Sequence, residues 1–192
     1  MKAIILAAGE GTRLRPYTMD KPKCLVEIDG ETLLDRQIKI LKIEGITQII
    51  LIGGYHSEML DGKASEIRIN PIYDKTNMVY SLFCAEGDFD DEAIVSYGDI
   101  VYSKSILNKV INSKSDIAVA IDKDWESYWR ARNDNPLNDA ETLKLTSDNR
   151  ITEIGQKPNC IDEVEGQYMG LMKFSKKGFN ILRKIFYDFK NI

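Results

Sequence analysis

The chain has 192 residues, of which 43% are hydrophobic and 29% charged, so disorder, collagen and a disulfide scaffold are excluded as descriptions of the whole. A chain of this size buries about 70% of its unfolded surface and needs no staples. The net charge of −4, with basic residues scattered along the chain, argues against a general nucleic-acid binder, although a local phosphate site stays open.

In chain order, Lys2–Ala8 reads as a buried strand. Thr32–Glu44 reads as a helix with Leu34, Ile38 and Leu41 on one face, Thr32 as N-cap and Gly45 as stop. Gln48–Ile52 is a second apolar strand, ended by Gly53-Gly54, and Ile67–Asn70 a third. Val79–Glu86 is helical, Ala93–Tyr97 a strand, Ser103–Asn112 a helix and Ile117–Ile121 a strand. This βαβα rhythm predicts a mostly parallel sheet with helices on both faces, a Rossmann-like α/β fold. The rhythm then changes. Asp124–Asn138 is polar, aromatic and turn-rich, and is expected to be an inserted loop. Glu141–Leu145, Arg150–Gly155 and Gln167–Phe174 read as strands without intervening helices, predicting a small antiparallel patch in the C-terminal third. Lys176–Lys190 is an amphipathic helix with Phe179, Leu182, Ile185, Phe186 and Phe189 on one side.

The three cysteines, Cys24, Cys84 and Cys160, are odd in number and widely spaced, which suits reduced cytosolic thiols and a cytoplasmic location. No apolar run is long enough to cross a membrane, and the N-terminus lacks the charged region of a signal peptide. No membrane and no nucleic-acid partner is expected.

The segment Ala7-Ala8-Gly9-Glu10-Gly11-Thr12-Arg13-Leu14-Arg15-Pro16 follows the first strand directly. Ligands of open α/β sheets bind beyond the carboxyl ends of strands, and glycines let backbone N–H groups cradle phosphate oxygens. Arg13 and Arg15 add charge-assisted donors. Leu14 stands where a dinucleotide loop needs its third glycine, and no Gly-Lys-Ser/Thr of a Walker A loop occurs. What remains is Gly-x-Gly-Thr-Arg followed by Lys21-Pro22-Lys23, where Pro22 presets a turn that aims Lys23 at the same pocket. Tyr97-Gly98-Asp99 ends a strand at the same crevice, and one carboxylate beside phosphates is what Mg²⁺ prefers. His56 sits in a turn after Gly-Gly-Tyr and reads as surface.

On these residues, Lys2 to Lys23 resembles the nucleotidylyltransferases that activate sugar phosphates and phosphocholine. The resemblance implies the fold of nucleotide-diphospho-sugar transferases and a single domain over 1–192. It implies a loop from Leu6 to Thr12 that holds the nucleoside triphosphate, Arg13 on the departing pyrophosphate, Lys23 along the transferred phosphate and Asp99 on Mg²⁺. Ile154-Gly155-Gln156-Lys157-Pro158 resembles the family's Glu-Lys-Pro element, which assigns Lys157 to the acceptor's phosphate. Glu165 to Gly170 resembles the strand lining the acceptor pocket, with Tyr168 in it. Asn77-Met78-Val79-Tyr80-Ser81-Leu82 resembles a stretch of the small cytidylyltransferases near base and acceptor, which implicates Asn77 and Ser81 beside Tyr97 and Gly98. The span Asp122–Phe174 resembles enzymes for 2-aminoethylphosphonate, phosphocholine-like compounds and phosphorylated glutamine.

The residues of that span suit such an acceptor. Asp139, Glu141, Glu163 and Glu165 are acids near strand ends, and Trp125, Tyr128 and Trp129 could form an aromatic wall for a substituted ammonium. The bland alternative, solvated acids and core aromatics, stays open. The expected reaction joins CTP and a small phosphate or phosphonate, with pyrophosphate leaving. Such a product would feed phosphonate or phosphocholine metabolism and the decoration of cell-surface polysaccharide or lipid. Two rivals remain: a sugar 1-phosphate acceptor with UTP or dTTP, and a module that binds nucleotide without turnover. The family's second metal aspartate, near the C-terminus, has no counterpart before Ile192, since Asp188 lies in a helical pattern; a chain lacking its C-terminal end is expected. A homodimer or a fusion partner is left open.

Overall fold

The computed structural model describes residues 1–190. The chain forms two compact units, one from Met1–Ala118 with the segment from Gly170 onward, the other Val119–Met169.

The first unit is built on β1 (Lys2–Ala7), β4 (Ile49–Gly53), β5 (Glu66–Ile69) and β6 (Ala93–Tyr97), all parallel to one another. Between them lie a short hairpin, β2 (Glu27–Ile28) and β3 (Glu31–Thr32), and α1 (Leu33–Ile43). Further on come α2 (Met78–Phe83), α3 (Lys104–Ile111), β7 (Ile117–Asp122), β10 (Gln167–Phe174) and α5 (Lys176–Lys190). The sheet order is β5-β4-β1-β6-β10-β7, with β10 antiparallel to β6.

The central strands are buried on both faces, so they read as continuous apolar runs. On one face Ile4, Leu6, Ile52 and Val95 pack with Leu82 of α2 and Phe179 of α5. Ser96, pointing to the opposite face, meets Gln37 of α1, and Lys173 on that face donates to carbonyls at the end of α3. Each buried isoleucine of β1 contributes about 1.5–3 kcal/mol relative to exposure. Thr32 caps α1 as expected, accepting from Asp35 N–H at 2.9 Å, and Asn77 and Ser103 cap α2 and α3. The expected face of α5 is buried only at its start. Phe179 is 2% exposed, whereas Ile185 and Phe189 are exposed.

Two sequence expectations need correction, and one element lay outside them. Asp124–Asn138 is not a loop but carries α4 (Trp125–Arg132) and a 3-10 turn at Pro136–Asn138. Its polar composition hides one apolar anchor: Trp125 buries its ring, with Trp129 half-buried one turn on, against Ala140 and Val164. Tertiary burial thus outweighs a weak local pattern. The antiparallel patch holds two strands, β8 (Leu143–Leu145) and β9 (Ile151–Ile154), because Gln167–Phe174 joins the main sheet instead. The β2–β3 hairpin was not anticipated, although Asp29-Gly30, with φ of 52° and 75°, is the sequence signal of a two-residue turn. No helix among the described residues is long and apolar enough to cross a membrane.

Candidate active site

The cleft forms where β1 and β6 end. After Ala7 the chain leaves the sheet, and the Ala8 carbonyl accepts from Tyr55 N–H at 3.0 Å. A Cβ on Gly9 would meet nothing within 4 Å, so this stretch of backbone is open. Gly11 is different. It holds φ at 64°, and a Cβ there would lie 2.9 Å from Cβ of Lys23. Glycine therefore lets the loop and Lys23 pack together. The buried Thr18 hydroxyl donates to Gly11 O at 2.9 Å and fastens the loop's far side. Pro22, at φ −58°, leads into a 3-10 turn at Lys23–Leu25 that carries Lys23 back to the glycine loop.

From the other strand, Gly98 N–H donates to Leu6 O at 2.8 Å. A Cβ on Gly98 would stand 3.0 Å from that carbonyl oxygen and 3.1 Å from Cβ of Cys24, so the turn lies flat against β1. Asp99 emerges beyond it, and Lys23 Nζ donates to its carboxylate. Both side chains are partly open, at 26% and 30%. The cleft encloses about 270 Å³. Its walls come from β1 and the loop (Leu6, Ala7, Ala8, Gly9, Gly11, Arg13), from Lys23, from Tyr97, Gly98 and Asp99, and from Ser81 of α2.

Two wall residues were missed by the sequence reading: Cys24 and Met78. Only a neighbouring position, after Lys23 and after Asn77, could have signalled them. Burial pushes the Cys24 thiol up to about 12, helped by the nearby Asp99 carboxylate, so it is a neutral wall rather than a nucleophile. Three expected nucleotide residues lie outside the cleft lining. Glu10 pairs with Arg15 at 3.1 Å, Thr12 opens an exposed 3-10 turn, and Asn77 accepts from Val79 and Tyr80 N–H as the cap of α2.

Asp99 is the one carboxylate on the cleft wall, and no cluster of three metal-ligating side chains occurs among the described residues. That donor set fits a hard cation that completes its shell with phosphate oxygens and water, as Mg²⁺ does.

The expected acceptor residues all belong to the second unit. Trp125 is core, with Nε1 donating to Val164 O at 3.0 Å, so it forms no wall. The Arg132 guanidinium lies over Tyr128 and Trp129, 5.3 and 5.4 Å from their ring centroids, and already occupies those faces. Trp129 Nε1 donates to Asp139 O, and the Asp139 carboxylate stands 3.7 Å from Arg132. Glu165 accepts from Leu145 N–H at 2.7 Å and Glu163 from Asn159 N–H at 2.7 Å. The second bond holds the Glu163 carboxyl below its usual range. Glu141 exchanges backbone bonds with the Gln167 amide, while its carboxylate and the exposed Lys157 carry no hydrogen bond or ion pair among the described residues. Tyr168 is half-buried on β10.

A family profile, the MobA-like NTP transferase domain, matches residues 3–154. A CTP:phosphoglutamine cytidylyltransferase of Campylobacter jejuni is 44% identical, over 100% of this chain and 83% of its own length. A choline-phosphate cytidylyltransferase of Streptococcus pneumoniae is 36% identical over 59% of this chain and 51% of that protein. Among solved structures, the inositol-1-phosphate CTP transferase of T. maritima superposes with a TM-score of 0.72 at 25% identity, covering 92% of this chain and 71% of that one.

Proposed function

The chain belongs to the MobA-like NTP transferase domain family and is a nucleotidyltransferase, and from that premise we propose a Mg²⁺-dependent transfer of CMP from CTP to a small amino-bearing phosphate. Pyrophosphate is the second product. The observation that carries the reading is the meeting of the glycine loop, Lys23 and Asp99 in one cleft at the ends of β1 and β6. The likeness to cytidylyltransferases for phosphoglutamine and choline phosphate supports CTP as donor and an acceptor with both a phosphate and an amine or ammonium.

In this reading the open backbone at Gly9 receives the triphosphate, and Arg13 neutralises the departing pyrophosphate. Asp99 would hold a magnesium ion, which supplies charge neutralisation of the phosphate oxygens when bound. In the free enzyme Lys23 and Asp99 neutralise each other. Arriving phosphates offer Lys23 a second anionic partner, so its ammonium turns from the carboxylate toward the α-phosphate. The acceptor's phosphate oxygen then attacks the α-phosphorus in line, and the bond to the pyrophosphate oxygen breaks opposite. Catalysis is positioning and charge neutralisation, with no covalent enzyme intermediate. Lys157 and the Glu141 carboxylate, both without partners among the described residues, are assigned to the acceptor's phosphate and amine respectively. A cytoplasmic location is part of this proposal, and the three free cysteines support it.

The test is pyrophosphate release with Mg²⁺, each nucleoside triphosphate, and phosphoglutamine, phosphocholine, 2-aminoethylphosphonate or glucose 1-phosphate. Release is expected with CTP and one amino-bearing acceptor. Asp99→Asn should lower turnover about 10²–10³-fold while leaving the melting temperature unchanged. Near-normal turnover in that variant would sink the assignment.

A further inference from the structure

Gln37 is a polar residue in the buried apolar stripe of α1, between Leu34 and Ile38, and is 1% exposed. Its amide reaches the turn that carries Asp99. Nε2 donates to Tyr97 O and to Ile100 O, each at 3.0 Å, while Oε1 accepts from the Ser96 hydroxyl at 2.8 Å. Main-chain carbonyls only accept, so the face toward the turn must be the NH₂, and the Ser96 hydroxyl, donating to Oε1, holds the amide in place from its other end. The two carbonyls bracket Gly98 and Asp99. The same turn is pinned from β1 by Gly98 N–H on Leu6 O at 2.8 Å.

We propose that Gln37 is a positioning residue that sets Asp99 for its cation by clamping the Tyr97 and Ile100 carbonyls from behind, with Ser96 orienting the clamp. The inference rests on the reading of Asp99 as the magnesium carboxylate. Gln37 does not line the cleft. It acts through the backbone on either side of Asp99, as outer partners of metal ligands do. The side-chain type follows from the three bonds. A leucine of similar size leaves both carbonyls and the hydroxyl unpaired. A glutamate sets a carboxylate against two carbonyl oxygens. An asparagine is one methylene too short to keep the same reach from α1.

The test uses the full chain with Gln37→Leu, Gln37→Glu and Ser96→Ala. Mn²⁺ binding is measured by electron paramagnetic resonance with a non-hydrolysable CTP analogue present, beside kcat, the acceptor KM and the melting temperature. Both Gln37 variants should weaken Mn²⁺ binding about 10–100-fold and lower kcat per folded molecule to a similar degree, with the acceptor KM unchanged. Ser96→Ala, which keeps the amide and frees only its orientation, should shift both in the same direction by less. A purely structural role would lower the melting temperature and the active fraction yet leave Mn²⁺ affinity per folded molecule at the wild-type value. That result in Gln37→Leu, or in Ser96→Ala should Gln37→Leu fail to fold, overturns the proposal. Asp99→Asn in the same assays separates the two readings. If it binds Mn²⁺ and turns over normally, the function assigned to the cleft fails. If it is inactive while Gln37→Leu binds Mn²⁺ normally, the positioning role alone fails.

Discussion

The two units use similar residue types in different ways. In the first, the side chains with chemistry sit where strands stop, and their neighbours are glycines. Lys23 and Asp99 have each other and open space, and the loop backbone beside them is bare at Gly9. In Val119–Met169, acids are denser, yet most of them, like the aromatics, are tied up within the unit. Glu165 holds the last N–H of β8 and Glu163 a loop N–H, Trp125 is core, and Arg132 covers the rings of Tyr128 and Trp129. The contrast shows that composition is a poor guide to a binding site. What matters is where a polar group meets its partner: Lys23 and Asp99 meet partly exposed on an open cleft wall, whereas the second unit's groups are spent on local structure.

The contrast breaks most sharply at Trp125. Trp125→Ala should cost about 3–5 kcal/mol, because it empties the unit's small core and strands the Val164 carbonyl. Limited proteolysis should then cut first within 119–169, and a wild-type pattern would show that the ring is not structural. Next comes Gly11→Ala, where the left-handed φ of 64° and the 2.9 Å approach to Lys23 both oppose a methyl group. A loss of about 1–3 kcal/mol in chemical denaturation is expected, with weaker CTP binding by calorimetry. Glu165→Ala removes one hydrogen bond from the second unit and should cost about 1 kcal/mol, leaving the acceptor KM unchanged. A large rise in that KM would instead return Glu165 to the acceptor site. The smallest effect belongs to Glu163. Its folded pKa lies below the ordinary glutamate range, chiefly through Asn159 N–H. Its contribution is therefore complete above the unfolded pKa and is lost as pH falls through the folded one. Melting curves should show a small gap between wild type and Glu163→Gln at neutral pH that closes in acid.

Much of the first unit could be read from residue order alone. Apolar runs ending in Gly or Gly-Asp mark strands that stop at a crevice, and Thr32 marks a helix start. Gly-x-Gly-Thr-Arg and Pro-Lys lie within one short stretch, so a single loop and turn bring them together, and local geometry suffices. The positions that escaped have long-range causes. Met78 and Cys24 become cleft walls because α2 and the turn after Pro22 pack there. Gln37 looks like an interruption of an apolar stripe until β6, some sixty residues on, supplies its partners.

The sequence by itself determined the strand–loop–strand frame, the glycine loop and the residue types at its edge, because these depend on short spacings and on backbone preferences that each segment carries alone. Tertiary structure decided which polar groups remain available. It set Lys23 and Asp99 together on an open cleft wall, but turned Arg15 to Glu10 and laid Arg132 over the aromatic rings. Hydrogen bonds and ion pairs saturate within a few ångströms, so a side chain's freedom depends on whichever distant segment folds against it.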